Sequence, residues 1–324
     1  MPVRLAITCG DVNGIGLRCL AGAVQHANFD ALLRLVITPD VLHSCINTYA
    51  LPGSFDGTTW TVGATRIDVE PLGIDVHVTP GIPGDDASLM AIASLERAFA
   101  MAASSEADAV VTLPISKHAL QRVGWPYPGQ TEMAAAHSSG TPLMVLCTRD
   151  VRVALATVHI PIRKVADALT EELIVERLHQ LRNHLRTDIG ITEPRIAVLA
   201  LDPHAGDNGV IGTDDQTVVA PTIEQARAAS IDAHGPFPAD GFFAFGAYRT
   251  FDGILAMYHD QGLIPLKLLA KGAGVNVTAG LPVVRTSPDH GTAYDRALQA
   301  DVDHASTLEA IEMAIAIAER RRGV

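Results

Sequence analysis

Two hydrophobic patterns alternate along the chain, and together they predict strands separated by helices. Short apolar runs closed by Gly, Pro or polar residues are typical of buried strands, whereas apolar residues at three- and four-residue spacing are typical of helices. The predicted strands are Val3–Cys9, Leu33–Thr38, Ala109–Leu113, Leu143–Cys147, Val151–Val158, Arg195–Leu201 and Gly253–Tyr258. The predicted helices are Ile15–His26, Asp86–Ala103, Thr170–Leu185, Asp214–Ala229 and Thr307–Arg322. This alternation predicts an α/β protein with a largely parallel sheet, although the short turn at 148–150 favours one hairpin.

Several predicted strands end in a polar tail, and three of these tails contain a histidine. His159 follows the run that ends at Val158, His204 follows LeuAspPro, and His259 follows LeuAlaMetTyr. Ligands of α/β proteins bind beyond the carboxyl ends of strands, so three converging imidazoles would form an open site for a divalent metal. The spacing matches no metal motif and the chain has 13 histidines. A structural role for each histidine therefore stays open at this point.

A second group of residues points to an anionic ligand. Lys267 follows the apolar run IleProLeu, Arg285 lies in ProValValArgThrSer, and Asn276 lies in GlyValAsnValThr. A cation within an apolar run suits charge-assisted bonds to phosphate or carboxylate. The alternative is that both cations extend from the face of an element with no ligand.

Two glycine-containing turns could approach a nucleotide or phosphate. The turn Gly10–Gly16 joins a predicted strand to a helix, but its spacing is not that of the dinucleotide-binding fingerprint GxGxxG. The loop Asp289–Ala293 is predicted to open a helix, whose first N–H groups would face an anion. Each of these signals is weak by itself.

Composition limits the class of protein. The chain has 324 residues, of which 48% are hydrophobic and 5% aromatic, and its net charge is −12. This rules out a disordered chain and argues against binding to nucleic acid or to an anionic membrane. The four cysteines form no CxxC pair, and neither a signal peptide nor a membrane-spanning run is recognisable. We therefore expect a soluble cytoplasmic protein.

The motifs, taken in chain order, resemble one family. The matching segments are GlyAspValAsnGlyIleGly, LeuProIleSerLysHis, GlyGlnThrGlu, ThrValHisIlePro, AspProHisAlaGly, GlyProPheProAlaAsp, MetTyrHisAspGlnGly, LysLeuLeuAlaLysGlyAlaGlyValAsnValThr and ArgThrSerProAspHisGlyThrAla. From Leu5 to about Asp303 the chain resembles the 4-hydroxythreonine-4-phosphate dehydrogenase (PdxA) family of pyridoxal phosphate biosynthesis. The resemblance implies an isocitrate/isopropylmalate dehydrogenase-like fold of two α/β/α lobes with a cleft between them. It also implies a homodimer with sites near the interface. We assign 1–125 plus 283–324 to a nucleotide-side lobe and 126–282 to a lobe for metal, substrate and dimerisation.

The resemblance also implies roles for individual residues. The metal ligands would be His159, His204 and His259, with one of the three supplied by the partner subunit. The substrate-binding positions would be Gln130, Thr131, Lys267, Asn276 and Arg285, with Lys117 as a further contact. Lys267 and Asp240 would be catalytic. The cofactor loop would be Asp289, His290, Gly291 and Thr292.

The implied reaction needs a divalent metal (Zn, Co or Mg) and NAD or NADP. It oxidises and decarboxylates 4-(phosphooxy)-L-threonine to 3-amino-2-oxopropyl phosphate.

Three departures from the family pattern keep other functions open. Gln130 replaces a histidine, Leu17-Arg18 replaces ProGlu, and 297–300 lacks two glycines near the expected nucleotide site. One alternative is a related dehydrogenase of another phosphorylated hydroxy acid or of a dihydrodiol acid. A phosphate acyltransferase and a non-catalytic binding protein are alternatives of another class.

Overall fold

The computed structural model describes residues 1–323, and the chain divides into two compact units. Unit 1 comprises Met1–Gly140 and Leu281–Val324, and unit 2 comprises Thr141–Gly280. Within the described residues, no helix is both long enough and apolar enough to cross a membrane.

The strands and helices alternate through most of the chain. The strands are β1 (Val3–Thr8), β2 (Ala31–Ile37), β3 (Ser54–Phe55), β4 (Thr59–Val62), β5 (Thr65–Pro71), β6 (Ala109–Val111), β7 (Leu143–Cys147), β8 (Arg152–Leu155), β9 (Arg195–Leu199), β10 (Asp232–Phe237), β11 (Gly253–Ala256), β12 (Val275–Ala279) and β13 (Val284–Pro288). The α-helices are α1 (Gly16–Gln25), α2 (Pro39–Tyr49), α3 (Asp85–Ala103), α4 (Lys117–Arg122), α5 (Gln130–Ala136), α6 (Val165–Ala168), α7 (Glu171–Thr187), α8 (Ala220–Ala228), α9 (Ala239–Ala244), α10 (His259–Ala270) and α11 (Ala305–Arg322). The α/β class and the predicted hairpin, which is the antiparallel pair β7 and β8, are confirmed.

Unit 1 is a twisted sheet covered by helices from both ends of the chain. Its strand order is β13-β6-β1-β2-β5-β4-β3, in which β13, β6, β1, β2 and β5 run parallel. Helices α3 and α11 pack on β1 and β6. Since parallel strands end at one edge, the residues that follow β1, β6 and β13 are brought together there.

Unit 2 has a sheet of mixed direction. Its strand order is β10-β9-β11-β8-β7-β12, with β10, β9, β11 and β8 parallel and β7 and β12 antiparallel to their neighbours. His204, His259 and His159 follow β9, β11 and β8, which are adjacent strands. The sheet order therefore places the three histidine loops side by side.

Helix α7 shows how the local sequence specifies an element of unit 2. The Thr170 hydroxyl accepts the Leu173 N–H at 3.2 Å, which caps the first turn. The buried apolar residues at helical spacing are Ile174, Leu178, Leu181 and Leu185. This stripe packs on β7, β8, β11 and β12, and it stabilises the sheet that carries the histidine loops.

Two details of the structure differ from the sequence-based expectations. We expected residues 126–140 in the second lobe, but Met133 and Ala134 pack with Leu95 and Trp125 in the core of unit 1. The loop that begins at Asp289 does not open an α-helix, because it continues into a single 3-10 turn and α11 starts only at Ala305.

Candidate active site

Arg285 is the buried centre of a polar cluster in unit 1. Strand β13 is buried along its whole length, and Arg285 is only 3% exposed. Its Nε and Nη2 atoms donate to Thr112 Oγ1 at 3.0 and 2.7 Å, and Nη2 also donates to Gln130 Oε1 at 2.7 Å. Nη1 lies 3.5 Å from Thr131 Oγ1. The structure thus brings together three of the residues expected to bind substrate: Gln130, Thr131 and Arg285.

The charge of Arg285 is maintained inside this cluster. Burial lowers the pKa of Arg285 to about 10, while the negative charge of Glu132 acts in the opposite direction. The guanidinium is therefore positive at neutral pH. Gln130 helps to fix it, because its Nε2 donates to Leu113 O at 3.2 Å while its Oε1 accepts from Arg285. The cluster is a preformed site of positive charge within an acidic protein.

Hydrogen bonds connect the expected cofactor loop to the Gly10–Gly16 turn. The Ile15 N–H donates to Thr292 O at 3.0 Å, and a Cβ atom on Gly14 would lie 2.6 Å from that oxygen, so the contact requires glycine. Tyr294 donates its hydroxyl to Asp11 Oδ2 at 2.5 Å, and burial raises the pKa of the Asp11 carboxyl. These contacts fix the loop that contains Asp289, His290, Gly291 and Thr292.

His159 and His259 come close to each other in unit 2. Their ring centroids are 5.8 Å apart, and both line an open cavity of about 480 Å³. The Nδ1 atom of His259 lies 2.7 Å from Asp260 Oδ1. A carboxylate on one ring nitrogen orients the imidazole and leaves Nε2 as the ligand atom, which is the usual arrangement of metal-binding histidines.

His204 lies in a neighbouring cavity of about 510 Å³ that also contains Asp240. The two cavities share Tyr258 and Asp260. Residues 204–208 form a left-handed turn with φ between 44° and 75°. A non-glycine residue in this conformation costs roughly 1–2 kcal/mol, so the surrounding bonds must hold the turn in place.

The histidines fit a metal only in part within one chain. Among residues 1–323, no group of three His, Cys, Asp or Glu side chains is close enough to hold a metal ion. His159 and His259 form a pair whose imidazole nitrogens suit Zn or Co, whereas Mg prefers oxygen ligands. The full set of three ligands would need a side chain from a second subunit, as the resemblance implies.

The remaining expected residues are spread over unit 2 and one helix of unit 1. Lys267 is exposed on α10, and Asn276 lies on β12 with its Oδ1 atom buried and without a hydrogen-bond partner among the described residues. A buried acceptor of this kind is uncommon and marks a position where a ligand could donate. Lys117 is exposed at the start of α4.

Sequence reasoning missed Thr112, which makes two of the bonds to Arg285. The signal was present, because Thr112 opens the polar tail ThrLeuPro after β6. Gln261 and Asp215 were also missed. Their side chains bond to backbone groups distant in sequence, and a sequence pattern does not reveal such contacts.

Comparison with known proteins gives a consistent result. A family model described as "Pyridoxal phosphate biosynthetic protein PdxA" matches residues 34–314. The 4-hydroxythreonine-4-phosphate dehydrogenase of Bacteroides thetaiotaomicron is 40% identical over 99% of this chain and 90% of its own length. A crystal structure of the Klebsiella pneumoniae 4-hydroxythreonine-4-phosphate dehydrogenase has a TM-score of 0.85 at 34% identity and covers 98% of each chain. A terephthalate 1,2-cis-dihydrodiol dehydrogenase from Burkholderia xenovorans shares the fold, with a TM-score of 0.64, 24% identity and coverage of 97% of this chain and 98% of its own.

Proposed function

Because the chain belongs to the PdxA family of pyridoxal phosphate biosynthetic proteins, we propose that it is an NAD(P)-linked, metal-dependent 4-hydroxythreonine-4-phosphate dehydrogenase. It would oxidise and decarboxylate 4-(phosphooxy)-L-threonine to 3-amino-2-oxopropyl phosphate. The observation that carries the proposal is the buried guanidinium of Arg285, which Thr112 and Gln130 hold in place. Such a group binds an anion without reorganisation.

A bound NAD(P)⁺ would accept a hydride from the substrate carbon, and the hydroxyl proton would be released. The bond to the carboxylate then breaks, CO₂ departs, and the remaining electron pair is protonated. Arg285 and Thr131 are the groups we propose for one anionic end of the substrate, and Lys267 and Asn276 are proposed as further substrate-binding groups. Lys267 and Asp240 are the proposed groups that move protons. The loop from Asp289 to Thr292 would contact the nucleotide, NAD or NADP.

The metal would be held by His159, His204 and His259, and we favour Zn or Co because all three ligands are imidazoles. When bound, a divalent ion would lower the pKa of the substrate hydroxyl and stabilise the developing negative charge. Asp260 would keep the His259 ring oriented, as its 2.7 Å contact to Nδ1 indicates.

A homodimer would supply the third ligand, and unit 2 has a surface that supports this. Ile264 and Leu268 lie one turn apart on α10 and are 60% and 74% exposed. Phe245, after α9, is 90% exposed. Apolar side chains exposed in this way are typical of protein interfaces. Sedimentation of the wild type and of Leu268→Glu would test whether the protein is a dimer. We also propose that the protein works in the cytoplasm.

The decisive experiment measures NADH or NADPH formation from 4-(phosphooxy)-L-threonine. Turnover should stop when a chelator removes the metal and return when Zn²⁺ or Co²⁺ is added. Turnover that ignores the chelator would contradict the metal role. Turnover of another phosphorylated hydroxy acid in place of this substrate would mean that the chain is a related dehydrogenase. The replacement of the family's histidine by Gln130 is the reason to test this alternative.

A His259→Ala variant separates the metal from the rest of the site. It should lose turnover and metal binding but still bind the nucleotide, because the expected cofactor loop lies in unit 1. Full activity in this variant would remove His259 from the site.

A further inference from the structure

A continuous set of hydrogen bonds joins the strand ends behind the three histidine loops. Thr157 donates its hydroxyl to Met257 O at 2.7 Å, which links the end of β8 to the end of β11. The Met257 N–H donates to Gln261 Oε1 at 2.7 Å, and Gln261 Nε2 donates to Ala200 O at 2.6 Å. The second pair of bonds links the end of β11 to the end of β9.

Gln261 is the central member of this set because it uses both polar atoms of its amide. The backbone ladder between β11 and β9 ends at Leu255 and Val198. Met257 and Ala200 lie just beyond it, where the backbone leaves β11 toward His259 and leaves β9 toward His204. The Gln261 amide bonds to one backbone group after each strand and continues the pairing for one more step. It therefore sets the distance between the two loops.

The loop on the β9 side needs this support. Residues 204–208 have positive φ, and such a turn persists only when its surroundings hold it. Asp215, which is 1% exposed, accepts the N–H groups of Leu201 and Asp202 at 2.8 Å each. Asp215 and Gln261 thus fix consecutive backbone groups, from Ala200 to Asp202, directly before His204.

We propose that Gln261 is a positioning residue that fixes the loops of His204 and His259 in the conformation in which each histidine can bind a metal shared between subunits. It lines the cavity that contains His204, but both polar atoms of its amide bond to the backbone of Met257 and Ala200, so it acts through these backbone groups. The inference rests on the proposed metal role of the histidines. It predicts that changes at Gln261 weaken metal binding before they affect folding.

The test is a titration of the full-length, chelator-stripped protein with Co²⁺, followed by visible absorption, well below the unfolding temperature. Gln261→Met keeps the length of the side chain but makes neither hydrogen bond. Its affinity for Co²⁺ should fall by about tenfold or more, the size seen when groups that orient metal ligands are removed. Gln225→Met is the matched control, because Gln225 is exposed on α8, and its affinity should equal that of the wild type.

A purely structural role makes a different prediction. It would lower the thermal midpoint of the metal-free Gln261→Met protein and leave the Co²⁺ affinity of the folded protein within twofold of the wild type, which would overturn the proposal. Gln261→Asn keeps the test open if Gln261→Met does not fold. It retains the amide, but its side chain is one methylene shorter and cannot reach both Met257 N and Ala200 O, so its affinity for Co²⁺ should also fall. An affinity within twofold of the wild type would also contradict the proposal.

The same titration of His259→Ala distinguishes failure of the inference from failure of the proposed function. If His259→Ala and the wild type bind Co²⁺ equally, the histidines are not ligands and the proposed function fails. If His259→Ala loses binding while Gln261→Met does not, only the positioning role fails.

Discussion

Arg285 in unit 1 and His259 in unit 2, which we propose to bind an anion and a metal, are held in place in opposite ways. Arg285 is 3% exposed and its own side-chain atoms bond to Thr112 and Gln130, so burial and direct contacts fix its charge. His259 faces an open cavity, and its position depends on backbone groups tied together behind it by Gln261. An anion site can be completed within one unit, whereas the metal site depends on the spacing of separate loops. We therefore expect anion binding to depend on the side chains of the anion site itself, and metal binding to depend also on residues outside the metal site.

The largest effect should come from Arg285→Lys. Lysine retains a charge but cannot bond to Thr112 and Gln130 through a planar fork. Loss of charge-assisted bonds worth about 2 kcal/mol should lower kcat/KM roughly 30-fold, as steady-state kinetics would measure. Arg122→Lys is the control, since Arg122 pairs with Asp85 at the surface, and its kinetics should match the wild type. Equal kinetics for Arg285→Lys would mean that this site does not hold the substrate.

The pH dependence of KM should test the anion site next. The pKa of Arg285 is lowered to about 10 by burial, so the positive charge is lost as pH rises through that value. KM should then rise about tenfold for each pH unit above 10. Steady-state kinetics over this pH range would measure the effect, and a KM that stays constant above pH 10 would contradict the role of Arg285.

A smaller effect is expected for Thr112→Val. The substitution removes the acceptor of two Arg285 bonds while it keeps the shape of the side chain. An unsatisfied buried donor costs about 1 kcal/mol or more, so KM should rise roughly fivefold. Thr112→Ser should behave as the wild type. If valine and serine have the same KM, the hydroxyl of Thr112 does not position Arg285.

The smallest effect is expected for Gln130→His. We predict a modestly lower KM for the phosphothreonine substrate, because a histidine at this position adds a group that can carry positive charge beside the anion. The change should be about twofold to threefold, since Gln130 already bonds to Arg285. An unchanged or higher KM at pH 6 to 8 would count against the prediction.

Some of this arrangement could be predicted from the sequence, and the reasons differ from residue to residue. The adjacency of the His159, His204 and His259 loops could be predicted because each histidine follows an apolar strand, and these strands are neighbours in the sheet. Their role as metal ligands stays a prediction. Helix α10 was not found, because Pro265 lies inside it and HisAspGlnGly is typical of a turn. The left-handed turn at 204–208 was also missed, since only contacts from elsewhere, such as those of Asp215, impose positive φ on non-glycine residues. Long-range hydrogen bonds of this kind leave no local pattern.

The division of the chain has a consequence for the order in which the protein forms during synthesis. Unit 2 is one continuous segment that is complete once Gly280 has been made. Unit 1 still lacks β13 and α11 at that moment, and β13 contributes the strand beside β6 that carries Arg285. During synthesis, the part of unit 1 that ends at Gly140 is therefore made before unit 2, and its strand β6 lacks its partner β13 until unit 2 is complete. Arg285, the arginine that we propose to bind the anion, is made among the last elements of the chain, so we expect a nascent chain to bind substrate only after nearly its whole length has emerged.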